Sequence, residues 1–199
     1  MTAARLLARV ALALIVVALV GLPVMVLAQD IPREAQQYRR DLVRNARMIW
    51  GLDAPVATFG AQIHQESAWR PDARSPYAHG LAQFTPATAD WIGDLDPALV
   101  AADTGNPVWA LRALVRYDAW LYARVPVASN AQPCERMALA LRAYNGGLGW
   151  LQREAKSGKP CAAFRNAANC RENLGYPQRI LTRLEPIYIR AGWGLGVCA

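Results

Sequence analysis

The chain has 199 residues, 54% of them hydrophobic, and a formal charge of +7. This length suggests one domain plus an N-terminal segment, and the apolar share excludes a disordered or low-complexity chain. The positive balance suits an anionic partner, either nucleic acid or the acidic polymers and lipids of a bacterial envelope. Yet Lys and Arg are scattered, with Arg39-Arg40 as the longest basic run. No nucleic-acid-binding motif accompanies them, so nucleic acid is not an expected partner.

The N-terminus points to export. Arg5 and Arg9 precede or open a nearly uncharged apolar run from Val10 to Leu27, broken near its end by Pro23. Val26-Leu27-Ala28 offers small residues where a signal peptidase reads. Residues 1–28 are therefore expected to be a signal peptide or an N-terminal membrane segment, and 29–199 the folded domain. Cleavage would remove two Arg and lower the formal charge to about +5. The alternative is membrane association through residues 6–27, a run of 22 residues that is long enough to span a bilayer. Either way the body is expected outside the cytoplasm, in the periplasm or cell envelope. Four cysteines, Cys134, Cys161, Cys170 and Cys198, fit that compartment as disulfides. Three pairings are open. The preferred one is Cys161–Cys170, closing a polar loop, with Cys134–Cys198 tying down the C-terminus. No CxxC occurs and neither His64 nor His79 is near a cysteine in sequence, so no metal site is expected.

In chain order, the spacing of apolar residues predicts a helix over 33–50, ended by Gly51, and a second over 56–67, preceded by Pro55. Residues 71–80 read as loop. A short helix over 86–92 starts on Pro86, and a long one runs from Asn106-Pro107 to about Arg124. Glu135 to Tyr144 is helical and stops at Gly146-Gly147. Residues 158–173 are polar, and Tyr176 to Arg190 reads as a final amphipathic helix. No alternating strand pattern appears. The expected fold class is all-α.

On the second helix Phe59, Ile63 and Glu66 lie four and three residues apart, hence on one face. A carboxylate there is costly unless paired or protonated. Glu66 also sits in the last helical turn, where the helix dipole disfavours negative charge. Both effects raise its pKa, which suits a proton donor to a glycosidic oxygen. A surface Glu near a helix end is the bland alternative, and Glu66 alone does not decide between them.

The surrounding residues do. Glu66-Ser67, then Pro71, Ala73, Ser75, Ala78 and Gly80-Leu81-Ala82-Gln83, resemble the signature of the soluble lytic transglycosylase family, with Ala82 where that signature has Met. Ala143-Tyr144-Asn145-Gly146-Gly147 resembles its Ala-Tyr-Asn-Ala-Gly, with Gly146 for the second Ala. Glu172, Tyr176 and Arg179-Ile180 resemble its late Glu-Thr-x-x-Tyr-Val-x-x-Ile element, with Asn173 for Thr and Pro177 for Val. The likeness covers about residues 56–189. It implies a lysozyme-like fold and cleavage of peptidoglycan glycan strands, with Glu66 as catalytic acid and then base. Ser67, Gln83, Tyr144, Asn145, Glu172 and Tyr176 are the implied substrate-binding residues, and no cofactor is implied. Two carboxylates flank the bond in ordinary glycosidases, but no second acid falls on a marked position. The resemblance implies instead that the substrate's own N-acetyl oxygen attacks C1, and the C6 hydroxyl then closes a 1,6-anhydro ring. Trp69 and Phe84 are candidates to stack on sugar rings. Alternatives are a goose-type lysozyme-like hydrolase and a non-catalytic peptidoglycan-binding component. Wall remodelling, a secretion or conjugation apparatus, and a phage are the open settings, the last two bringing secretion-system or phage partners.

Overall fold

The computed structural model describes residues 30–199; the N-terminal run expected to be a signal or membrane segment lies outside them. Among the described residues no helix is long and apolar enough to cross a membrane. The architecture is helical throughout: α1 (Ala35–Trp50), α2 (Val56–Ser67), α3 (Pro86–Ile92), α4 (Pro107–Tyr122), α5 (Pro133–Gly146), α6 (Leu148–Ser157), α7 (Ala167–Gln178) and α8 (Glu185–Arg190). A π-helical stretch, Arg179–Leu184, joins the last two. The only strand-like pairings among these residues are isolated bridges, Arg74 with His79 and His79 with Phe84.

Helix α2 is the centre of the fold. Every residue from Val56 to Ile63 is buried, so this helix has no solvent face for its first two turns. It packs against α1, α8 and the π-helical stretch. The crossing with α8 is close because Gly60 has no side chain. A Cβ there would meet the Tyr188 ring at 2.8 Å. Pro55 precedes the helix, and Ala68, at φ 50°, ends it in the left-handed region. The cap is closed by the Ala68 N–H on the His64 carbonyl, 2.9 Å.

Starts and stops follow local chemistry. Asn106 caps α4 by accepting from the Val108 N–H, 3.0 Å, with Pro107 at the first position. Asn166 caps α7 in the same way through Asn169 N, 2.8 Å. The polar stretch 158–173 thus contains a helix start, which its composition hides. Helix α6 is also absent from the sequence reading; Gly149 within it weakens the local helical signal. The predicted helix over 176–190 is divided. Pro186 has no N–H for the carbonyl four residues back, and its ring crowds that position, so the chain widens to π geometry before α8 begins. Two disulfides, Cys134–Cys198 and Cys161–Cys170, have Cα separations of 4.7 and 5.7 Å.

Candidate active site

Glu66 lies in the last turn of α2, at a cleft of about 360 Å³ that Gln83, Phe84, Tyr117, Tyr144 and Asn145 also line. A neighbouring cavity of about 620 Å³ extends it past Ser75, Tyr77, Phe84 and Thr85 toward Arg74 and His79. Glu66 is the one acidic residue lining the first cavity. The groove is therefore built around a single carboxyl group.

Burial pushes the Glu66 carboxyl up from an ordinary 4.5 to about 7. The Tyr176 hydroxyl donates a hydrogen bond to its Oε1 and opposes that rise. Glu172 adds to the rise through its charge, and Arg179 works against it. The outcome is a group able both to give and to take a proton near neutrality. Tyr176 is 2% exposed, and burial raises its own pKa well above the phenol range, with the Glu66 charge adding to that. It stays a neutral donor. Its place is set by α7 immediately before Pro177 and the π-helical stretch, a distortion common beside functional sites.

Residues 71–84 form the rim of the cleft by turning sharply. Gly80 has φ +82°, and a Cβ there would lie 1.8 Å from the Thr104 carbonyl oxygen. Gln83, at φ 49°, also occupies the left-handed region. Its amide donates to the Ala73 and Gly80 carbonyls, at 3.1 and 2.8 Å, so it stitches the loop while it borders the cleft. Tyr144 donates to the Ala82 carbonyl, 2.7 Å, and pins the same loop to α5. The small Ala82 side chain is buried, and its backbone carries this contact.

The expected residues separate into two groups. Glu66, Gln83, Tyr144 and Asn145 converge on the cleft, and Tyr176 joins through its bond to Glu66. Ser67 is buried, its hydroxyl committed to the Ile63 carbonyl at 3.2 Å, and it does not line the cleft. Glu172 is half-exposed, pairs with Arg179, and reaches Glu66 only through its field. Trp69, a candidate sugar platform, is 0% exposed. It stacks on Tyr38 with ring centroids 6.1 Å apart and donates to the Tyr188 hydroxyl, so it offers no face to a ligand. Phe84 borders both cavities but is buried, edge-on to Trp109 and Tyr117 and tilted against Tyr144. The aromatic ring that does stand free at the groove is Tyr77, 78% exposed.

Four residues at or behind the cleft are not among the expected site residues. Tyr117 lines the cleft from α4, its pKa pushed up to about 12 by burial. Asp118, beside it, is wholly buried, and burial holds its carboxyl well above the usual range. Gln62, one turn before Glu66, donates to Asp118 Oδ1 at 3.4 Å. The other oxygens of that pair, Gln62 Oε1 and Asp118 Oδ2, lack a hydrogen-bond partner. Asn173 is the fourth, buried behind Asn145. Helical spacing would have placed Gln62 with Glu66; nothing in the sequence links either to Asp118.

The family model of the transglycosylase SLT domain matches residues 45–163. Tyr176 lies beyond that match, so its contact with Glu66 is independent of it. The membrane-bound lytic murein transglycosylase F of Pasteurella multocida is 35% identical over 117 residues, 58% of this chain and 20% of that protein. Its namesake from Haemophilus influenzae is 35% identical over 103 residues, 51% of this chain and 18% of that protein. The one from Marinobacter nauticus is 30% identical over 118 residues, 59% and 20% respectively. These matches span about a fifth of the relatives' length. No solved structure gives a significant match. With the family model covering more than half of its length, the chain belongs to the transglycosylase SLT domain family.

Proposed function

We propose that this protein is a peptidoglycan lytic transglycosylase, cutting the β-1,4 bond between N-acetylmuramic acid and N-acetylglucosamine outside the cytoplasm, in the periplasm or cell envelope. The observation that carries the reading is Glu66: a single carboxyl at the cleft, tuned to about 7 and held by a neutral phenol. Glu66 gives its proton to the glycosidic oxygen as the C1–O bond breaks. The substrate's acetamido oxygen bonds to C1 in place of a protein nucleophile. The C6 hydroxyl oxygen then attacks C1, the acetamido oxygen leaves, and the hydroxyl proton returns to Glu66. Proton and bond counts balance without water, and the product ends in 1,6-anhydro-N-acetylmuramic acid. Tyr176 orients the carboxyl through both steps. Two disulfides support an oxidising compartment.

Mass spectrometry of the fragments released from purified sacculi tests the reading. Anhydro ends, lighter by one water than reducing ends, are the expected product. Reducing ends would assign a goose-type hydrolase on the same site, and no release at all would leave a binding protein.

A further inference from the structure

We infer that Asn173 fixes the polarity of the Asn145 amide, so that Asn145 presents N–H donors to the cleft and takes up a carbonyl oxygen of the ligand. The inference rests on the proposed glycan substrate only in naming that oxygen as an N-acetyl carbonyl.

The reasoning is a chain of donors and acceptors. Arg142 has only donors on its side chain. Its Nε lies 3.1 Å from the Asn173 amide, so the atom facing it is Oδ1. The other amide atom, Nδ2, lies 2.7 Å from the Arg142 backbone carbonyl, which only accepts. Both neighbours select the same orientation. Nδ2 then reaches Asn145 at 3.2 Å, and the atom that receives it is Asn145 Oδ1. The Asn145 NH₂ is left facing away from Asn173, on a residue that lines the cleft with Glu66.

The chain is anchored at its Arg142 end and buried at its middle. Arg142 is held by Glu154 at 2.6 Å, with both side chains largely buried. Asn173 is 2% exposed, so water has little access to exchange its partners. It fits because residue 146 is glycine: a Cβ there would stand 2.5 Å from Asn173 Nδ2 and 2.8 Å from an Arg165 guanidinium nitrogen. Gly146 and Asn173 are two of the positions where the chain departs from the signature it resembles, and here they form one packing unit. The larger amide at 173 occupies space that a methyl at 146 would take.

Amide hydrogen exchange read by NMR on the whole protein tests the polarity directly, with an N-acetylglucosamine hexasaccharide as ligand. The Asn173 NH₂ should exchange slowly and the Asn145 NH₂ quickly, the latter slowing when the hexasaccharide is added. Asn173→Asp replaces the donor with an acceptor of the same shape. In that variant the Asn145 NH₂ should turn inward and exchange slowly, and hexasaccharide affinity should fall about tenfold. Asn145→Ala should lose a similar factor, and Asn173→Asp should cost no further affinity in that background. A protected Asn145 NH₂ in the free wild-type protein overturns the inference, as do losses that simply add. If Asn173→Asp fails to fold, the wild-type exchange pattern still decides. A correct exchange pattern without hexasaccharide binding supports the polarity and removes the glycan reading alone.

Discussion

Glu66 holds its proton to about 7 because burial outweighs the hydrogen bond from Tyr176. The proposed acid step needs that proton, so turnover should fall as pH rises through about 7. Glu66→Gln keeps shape without acidity and should lower kcat by about 10²–10⁴-fold, measured on sacculi. The same shift bears on stability. A carboxyl whose folded pKa is raised contributes fully below its unfolded value of 4.5, and that contribution is lost as pH climbs to about 7. Relative to wild type, Glu66→Gln should therefore gain roughly 1–2 kcal/mol between pH 5 and pH 8, after allowance for partial exposure, read from denaturant midpoints. Gly80 makes a different demand on its position. Its φ of +82° and the Thr104 carbonyl 1.8 Å from any Cβ leave no room for a side chain. Gly80→Ala should cost about 3 kcal/mol or more and drop the melting temperature by roughly 6–12 °C.

At the scale of elements, the site depends on how α2, α4 and α7 meet. Helix α7 brings Tyr176 to the Glu66 carboxyl, and that bond lowers the Glu66 pKa. Tyr176→Phe removes it, so the alkaline limb of the pH profile should move upward from about 7, with kcat reduced about tenfold. Helix α4 brings Asp118 against Gln62 on α2. Burial shifts the Asp118 carboxyl toward its protonated form, which an amide mimics by accepting from one side and donating from the other. Asp118→Asn should keep the wild-type pH limb, whereas Asp118→Ala strands Gln62 and should destabilise by about 1–3 kcal/mol. If Asp118→Asn instead shifts the limb downward, Asp118 carries a charge in the wild-type protein.

Across the whole molecule the C-terminus is tied to the base of α2. Thr58 on α2 and the Val197 and Cys198 N–H groups all donate to the buried Glu185 carboxylate, the backbone groups at 3.3 and 3.2 Å. The Cys134–Cys198 disulfide, 64 residues apart in sequence, locks that end to α5. Replacing both cysteines with Ser should cost about 2–4 kcal/mol, because the unfolded chain regains the freedom of a long loop. Thermal unfolding with and without the substitutions measures it.

What the sequence by itself determined is whatever short spacing encodes. Phe59, Ile63 and Glu66 share a helix face because helical period alone puts them there. Residue chemistry placed the starts at Pro86 and Pro107, and the signature residues marked the cleft from Gln83 to Asn145. Tertiary structure decided what depends on distant neighbours. Trp69 looks like a sugar platform until Tyr38, Tyr188 and Trp193 enclose it. Ser67, next to the acid in sequence, turns inward to its own helix. Asp118 lies 52 positions beyond Glu66 in sequence, yet burial raises its pKa and the Glu66 charge adds to that rise. Hydrogen-bond polarity at Asn145 comes from Asn173, 28 residues away. Period and caps act over one or two turns; burial, charge and donor–acceptor matching are properties of the packed surroundings, and those exist only once the helices have met.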